Sequence, residues 1–94
     1  MEFNIHQHGN TIEIEGVIKT IANAESVIDA LKTINSDYII LKVKDSFGMP
    51  SSIIGYLVKL KDEGKQISLE IGSDILYELL DNLNLIHTFN VKKI

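Results

Sequence analysis

The chain has 94 residues, 45% hydrophobic and 23% charged, a composition typical of a single globular domain spanning 1–94. It contains no cysteine, which excludes disulfides, thiolate metal sites and a cysteine nucleophile. Nine lysines and no arginine stand against thirteen acidic residues, a net charge of −4, so we expect no nucleic-acid partner.

Two further classes are disfavoured by the distribution of apolar residues. No apolar run approaches the roughly 20 residues of a transmembrane helix, so we expect no membrane insertion. The N-terminal residues Met1–Asn4 lack the basic start and apolar stretch of a signal peptide. The default expectation is therefore a cytoplasmic location.

The first half of the chain predicts a hairpin, a helix and a buried strand. Alternating apolar residues around Gly9–Asn10 predict two antiparallel strands with one solvated face, the second ending near 16–20. Apolar residues at helical spacing follow over 24–34, and we expect Asn23 to cap this helix. The short apolar run at 38–43 predicts a central strand covered on both faces.

The second half predicts two more helices, each followed by a strand. A helix over 50–63 begins at a proline, which fits only the first turn, and ends before a glycine. Alternation over 67–71 predicts a fourth strand, and Ser73 opens a third helix. A short last strand is expected over 87–91.

These elements give the order β-β-α-β-α-β-α-β. Strand–helix–strand units favour parallel pairing with right-handed crossovers, whereas the opening hairpin is antiparallel. We therefore predict an α/β fold with a mixed sheet of about five strands and about three helices, mainly on one face.

Catalytic and metal-binding patterns are weak in this sequence. His6 and His8 share a strand face and offer two imidazoles, but no third ligand is placed near them. Glu13 and Glu15 share a face too, where the simpler interpretation is a solvated surface. No phosphate-binding glycine motif is present. We therefore expect no enzyme, no cofactor and no metal site.

The serine pair Ser51 and Ser52 follows Pro50 at the predicted start of the second helix. The first-turn N–H groups there lack intrahelical partners, and the helix dipole is positive. A phosphate on Ser51 would be tolerated locally and would add about −1.5 to −2 charge to the surface. The alternative is that Ser51 caps the helix.

Large apolar residues in the preceding loop suggest a contact surface. Phe47 and Met49 are either exposed to a partner or tucked beneath the sheet edge. If the loop and the exposed side of the second helix bind a partner protein, the candidate contact residues are Phe47, Met49, Pro50, Ser51, Ile53 and Tyr56.

Four segments resemble the STAS domain, the family of bacterial anti-sigma-factor antagonists that also occurs in sulfate transporters. Met49–Val58 is similar to the family pattern I-D-S-S-G-L-G-V-L-L, and Ile40–Val43 to the strand before it. Gly64–Leu69 is similar to a G-x-x-L-x-L strand entry. Leu79–Val91 is similar to a leucine-rich helix with an F-x-V ending.

The resemblance implies a small regulatory binding module of STAS-like fold. In the family, the first serine of the pair is phosphorylated by a partner that is both kinase and anti-sigma factor. The unphosphorylated form binds that partner. By position, Ser51 would inherit this role, with Ser52 beside it.

Four positions depart from the family pattern. Pro50 replaces the aspartate before the serine, and Ile53 replaces the glycine after the pair. Lys19 and Lys42 fall where the family has acidic residues. We expect these two lysines to reverse the sign of the field around the loop and to weaken binding of a kinase adapted to an acidic site.

The matches and departures leave three functional hypotheses. The first is a phosphorylation-switched or unswitched antagonist that binds an anti-sigma factor or serine kinase. The second is a constitutive STAS subunit of an assembly such as a lipid ABC transporter, bound to a transporter ATPase. The third, an enzyme or small-ligand carrier, would need a polar pocket with converging titratable groups.

Overall fold

The computed structural model describes residues 2–94. Its elements, in chain order, are β1 (Asn4–His8), β2 (Thr11–Glu15), α1 (Ile21–Lys32), β3 (Tyr38–Val43), α2 (Ser51–Asp62), β4 (Gln66–Ile71), α3 (Asp74–Asn82) and β5 (Lys92–Lys93). The five strands form one mixed sheet in which each strand neighbours the next along the chain. This confirms the predicted α/β class and element order.

The direction of the strands decides where the helices lie. β1 and β2 are antiparallel, whereas β2, β3, β4 and β5 are parallel to one another. Every helix crosses from one parallel strand to the next in the same direction. Because such crossovers are right-handed, all three helices cover the same face of the sheet.

The other face of the sheet is open, so the prediction that β3 is covered on both faces is wrong. Ile39, Leu41 and Val43 are fully buried beneath the helices, whereas Tyr38 is exposed and Lys42 is half-buried. Within residues 2–94, no helical crossover returns over the second face.

Two helix starts show how local hydrogen bonds fix the element boundaries. The predicted cap of α1, Asn23, is instead its third residue, and Thr20 occupies the cap position. The Thr20 hydroxyl accepts from the Asn23 N–H at 3.0 Å, and the Asn23 amide oxygen accepts from the Thr20 N–H at 3.2 Å. Ser73 caps α3 as predicted and accepts from the Leu76 N–H at 3.2 Å.

The last strand begins five residues later than predicted and is shorter. Residues 86–90 form turns, and β5 comprises only Lys92–Lys93. The Val91 N–H donates to the Ile86 carbonyl at 2.8 Å, and Asn90 adopts a left-handed φ of 49°. Because the N–H groups of Phe89, Asn90 and Val91 bond locally, they cannot form a ladder with β4. The Phe89 carbonyl does reach β4 and accepts from the Leu69 N–H at 3.1 Å, and the Phe89 and Val91 side chains contribute to the core.

Among residues 2–94, each helix is too short or too polar to cross a lipid bilayer.

Candidate functional site

The candidate site lies where β2 and β3 end. Because these strands are parallel, the loop 16–20 into α1 and the loop 44–50 into α2 emerge at the same edge of the sheet. Ligands and partners of open α/β sheets usually bind at this edge, since the loops there can vary without disturbing the core.

Two hydrogen bonds join the two loops, and a third lies within the loop 44–50. The Gly16 N–H donates to Asp45 Oδ2 at 3.0 Å, and the Ile18 N–H donates to Ser46 Oγ at 3.1 Å. The Ser46 hydroxyl in turn donates to the Gly48 carbonyl at 2.7 Å. Ser46 is completely buried, so its hydroxyl replaces water as partner for both backbone groups.

Ser51 and Ser52 are exposed at the first turn of α2. The interpretation of Ser51 as the helix cap is wrong, because Pro50 occupies the cap position and no side chain caps this end. A capping side chain must precede the first helical residue to reach the N–H groups of the first turn. Both hydroxyls are thus left at the surface, beside N–H groups that the helix does not use.

The apolar contact residues divide between surface and core. Phe47 is 56% exposed, as a contact residue requires, whereas Met49 is 7% exposed and Ile53 is fully buried. Met49 and Ile53 therefore cannot form the predicted contact surface. Ile53 begins the α2 stripe that continues with Leu57 and Leu60 and packs on the sheet.

Pro50 and Tyr56 are both partly buried. The Lys59 ammonium lies 5.6 Å from the centroid of the Tyr56 ring, within the range of a cation–π contact. Tyr56 therefore belongs to the flank of α2, one turn beyond the serine pair.

An open groove of about 360 Å³ runs between the starts of α1 and α2. Its lining residues are Lys19, Thr20, Ile21, Ala24, Glu25, Ile28, Pro50 and Ser52. Ile21 is 80% exposed at the first helical residue of α1. The sequence contains a signal for the position of Ile21 at the start of α1. Ile21 continues the apolar helix spacing one turn before Ala24, and Thr20 begins a capping box.

The two lysines that depart from the STAS pattern occupy different faces. Lys19 is exposed and lines the groove, as expected for a charge near the loop. Lys42 lies on the open face of the sheet, 4.0 Å from Glu70 Oε1. The prediction that both lysines reverse the field around the loop therefore fails for Lys42, because side chains alternate along β3 and its ammonium lies on the face opposite the helices.

The paired histidines and paired glutamates also lie on the open face. His6 Nε2 is 2.8 Å from Glu15 Oε1, and Lys44 Nζ is 3.5 Å from Glu13 Oε1. Each of the two glutamates thus has a separate basic partner, an arrangement typical of a solvated charged surface. Within 2–94, acidic and histidine side chains nowhere gather in groups of three or more suited to a metal ion.

Comparisons with known proteins add no relative. No family model matches the chain, and neither a curated protein nor a solved structure matches it. The resemblance to STAS domains therefore stays a prediction from the sequence. It is based on the order of elements and on four segments, Ile40–Val43, Met49–Val58, Gly64–Leu69 and Leu79–Val91.

Proposed function

We propose that the chain is a non-catalytic, STAS-like regulatory module that binds another protein through the α2 tip. The α2 tip is the surface formed by Ile21, Phe47, Pro50, Ser51 and Ser52. The observation that supports it most is the exposure of Phe47, a large apolar side chain on a loop that buried hydrogen bonds hold in place.

Exposed apolar side chains on an ordered loop suit recognition of a partner protein. Burial of Phe47 and Ile21 would remove apolar surface from water, at about 25 cal/mol per Å². The loop bonds made by Asp45 and Ser46 are present before any partner binds, so little conformational entropy is lost on association.

Phosphorylation of Ser51 would act as a switch on this surface. Neither α1 nor α2 has an acidic residue in its first turn, so a phosphate on Ser51 meets the positive end of α2. Glu25, which lines the same groove as Ser52, is the carboxylate that opposes it. The phosphate would leave the fold intact and add about −1.5 to −2 charge to the α2 tip, four residues after Phe47 in the chain. A partner that buries Phe47 would have to desolvate that charge and would dissociate.

The test is affinity capture from the protein's own cells, combined with mass spectrometry of Ser51. Phe47→Glu and Ser51→Glu should each lose the protein that the unaltered chain captures, whereas Ser51→Ala should retain it. Glu78→Ala, at an exposed position on α3, is the matched control and should capture the same protein. Equal capture by Phe47→Glu and the unaltered chain would contradict the proposed surface.

A constitutive subunit, as in a lipid ABC transporter, is the second candidate function. Lys19 in the groove and Pro50 before Ser51 favour it, because neither supplies the carboxylates that accompany the family's switch serine. The same experiment separates the two functions. A switched antagonist recovers an anti-sigma factor or serine kinase and loses it with Ser51→Glu, whereas a constitutive subunit recovers a transporter ATPase regardless of that substitution.

A further inference from the structure

The outer edge of β1 carries unpaired backbone groups. β1 pairs only with β2, in an unbroken register from Asn4 opposite Glu15 to His8 opposite Thr11. In residues 2–94 no other strand lies beside it. An edge of this kind is a template for adding a further strand.

The direction of each backbone group follows from the bonds of β2. The Ile14 carbonyl accepts from the Lys44 N–H at 3.3 Å, so Ile14 bonds towards β3 rather than β1. Ile5 lies opposite Ile14 and therefore directs its own N–H and carbonyl away from β2. By the two-residue alternation of a ladder, Phe3 and Gln7 do the same.

Three of the usual protections of an edge strand are missing along β1. Residues 3–8 contain no lysine and no proline, and the continuous register leaves no room for a bulge. Phe3 and Ile5 are only partly buried and pack against the core from the helix side. The edge thus lacks lysine and proline and carries the apolar side chains of Phe3 and Ile5.

We propose that β1 pairs antiparallel with β1 of a second copy of this chain, about a two-fold axis at Ile5. In this register Phe3 of one copy lies opposite Gln7 of the other, and the two Ile5 residues lie opposite each other. The outward N–H and carbonyl groups of Phe3, Ile5 and Gln7 in both copies therefore all form hydrogen bonds. It forms six N–H to carbonyl hydrogen bonds, whereas a register centred on His6 bonds only Ile5 with Gln7 and forms four.

Polar side chains favour the same register. Pairing about Ile5 sets Glu2 of one copy opposite His8 of the other, twice per dimer, where the carboxylate can accept a hydrogen bond from the imidazole. Pairing about His6 sets the two His6 side chains opposite each other. The Ile5 register also brings the Ile5 side chains together on the helix side, where each removes apolar surface of the other from water.

The resulting dimer has one continuous sheet of ten strands with the helices of both copies on one face. The α2 tip of each copy lies at the carboxyl ends of its own parallel strands. Because the two-fold axis reverses the strand direction, the two α2 tips lie on opposite sides of the dimer, at opposite ends of the strands. The dimer therefore does not depend on the proposed function of the α2 tip. A strand edge is a small interface, so we expect association that varies with protein concentration.

Disulfide trapping tests the register directly. Because the chain has no cysteine, Ile5→Cys introduces a single thiol, and paired Cα atoms about 5.5 Å apart suit a disulfide. Under mild oxidation Ile5→Cys should become a covalent dimer at least tenfold faster than Lys61→Cys, a control on the exposed side of α2. Equal rates for the two variants would overturn the proposal.

Sedimentation equilibrium up to near-millimolar concentration tests the Glu2–His8 pairs without a new covalent bond. Glu2→Lys should weaken dimerisation about tenfold, because it removes the hydrogen-bond acceptor opposite His8. The combination with His8→Glu should restore dimerisation, since a cation then faces a carboxylate. A monomer at every concentration, or a double variant that dimerises no better than Glu2→Lys, would overturn the proposed pairing of β1 with β1 of a second copy. An extended segment of another protein would then be the alternative partner of this edge.

Discussion

Ser46 shows how one buried side chain can define a binding surface. Its hydroxyl bonds the Ile18 N–H of one loop and the Gly48 carbonyl of its own loop, and it is excluded from water. The loop that carries the exposed Phe47 is therefore held by a polar group that is itself buried.

We predict that Ser46→Ala lowers the free energy of unfolding by about 1–3 kcal/mol, because the Ile18 N–H is left buried without an acceptor. Urea denaturation followed by circular dichroism measures the change. Ser52→Ala removes an exposed hydroxyl and serves as the control, with an expected change within about 0.5 kcal/mol. Equal stability of the two variants would show that the Ser46 bonds contribute little.

At the scale of elements, Gly55 in α2 has room for a side chain, whereas Gly72 in the loop after β4 does not. Gly55 lies within α2, and a Cβ built there meets nothing within 4 Å. Gly72, between β4 and α3, approaches the Lys44 carbonyl so closely that a Cβ would lie 2.2 Å from its oxygen. The same substitution should therefore have opposite effects at the two positions.

We predict that Gly55→Ala raises the free energy of unfolding by about 0.5–1 kcal/mol, since alanine loses less backbone entropy in a helix. Gly72→Ala should lower it by about 1–3 kcal/mol, because the loop after β4 must move away from the end of β3. Thermal melts of both variants provide the measurement. Destabilisation by Gly55→Ala would mean that α2 is packed on its outer side.

The Thr20 capping box sets the first turn of α1, and with it the position of Ile21 in the groove. We predict that Thr20→Ala lowers the free energy of unfolding by about 1 kcal/mol, because the Asn23 N–H loses its side-chain acceptor. Hydrogen exchange at the Asn23 amide should accelerate as well. Thr88→Ala, at a position outside the helices, is the comparison variant and should leave that amide unchanged.

At the scale of the whole molecule, one face of the sheet supplies the core and the other supplies charge. The helix side of β3 carries fully buried Leu41, whereas Lys42, the next residue, pairs with Glu70 on the open face. Adjacent residues of one strand thus belong to different environments. The stability of the fold should depend almost entirely on the covered face.

We predict that Leu41→Ala lowers the free energy of unfolding by about 2–5 kcal/mol through the cavity it leaves. Lys42→Ala should change it by less than about 1 kcal/mol, because a half-exposed ion pair is weak and is screened by salt. Guanidinium titration of the two variants compares the faces. A large loss with Lys42→Ala would mean that the open face contributes to the folding core.

The amino-acid sequence by itself determined the order of elements, the hairpin at Gly9–Asn10, the start of α2 after Pro50 and the Ser73 cap of α3. These features arise from interactions within a few residues, namely side-chain periodicity, turn preference and capping, so local sequence contains them. The exposed position of Ser51 at the start of α2 is another feature of this kind.

The tertiary structure decided which of the candidate contact residues reach the surface. Met49 and Ile53 are covered and Phe47 is exposed, although all three are apolar and lie within seven residues. Burial depends on which distant segment packs against a side chain, as with Ser46, whose partner Ile18 lies 28 residues earlier. Local patterns contain no information about such partners, because loop closure over that distance is fixed by the packing of the whole sheet and its helices.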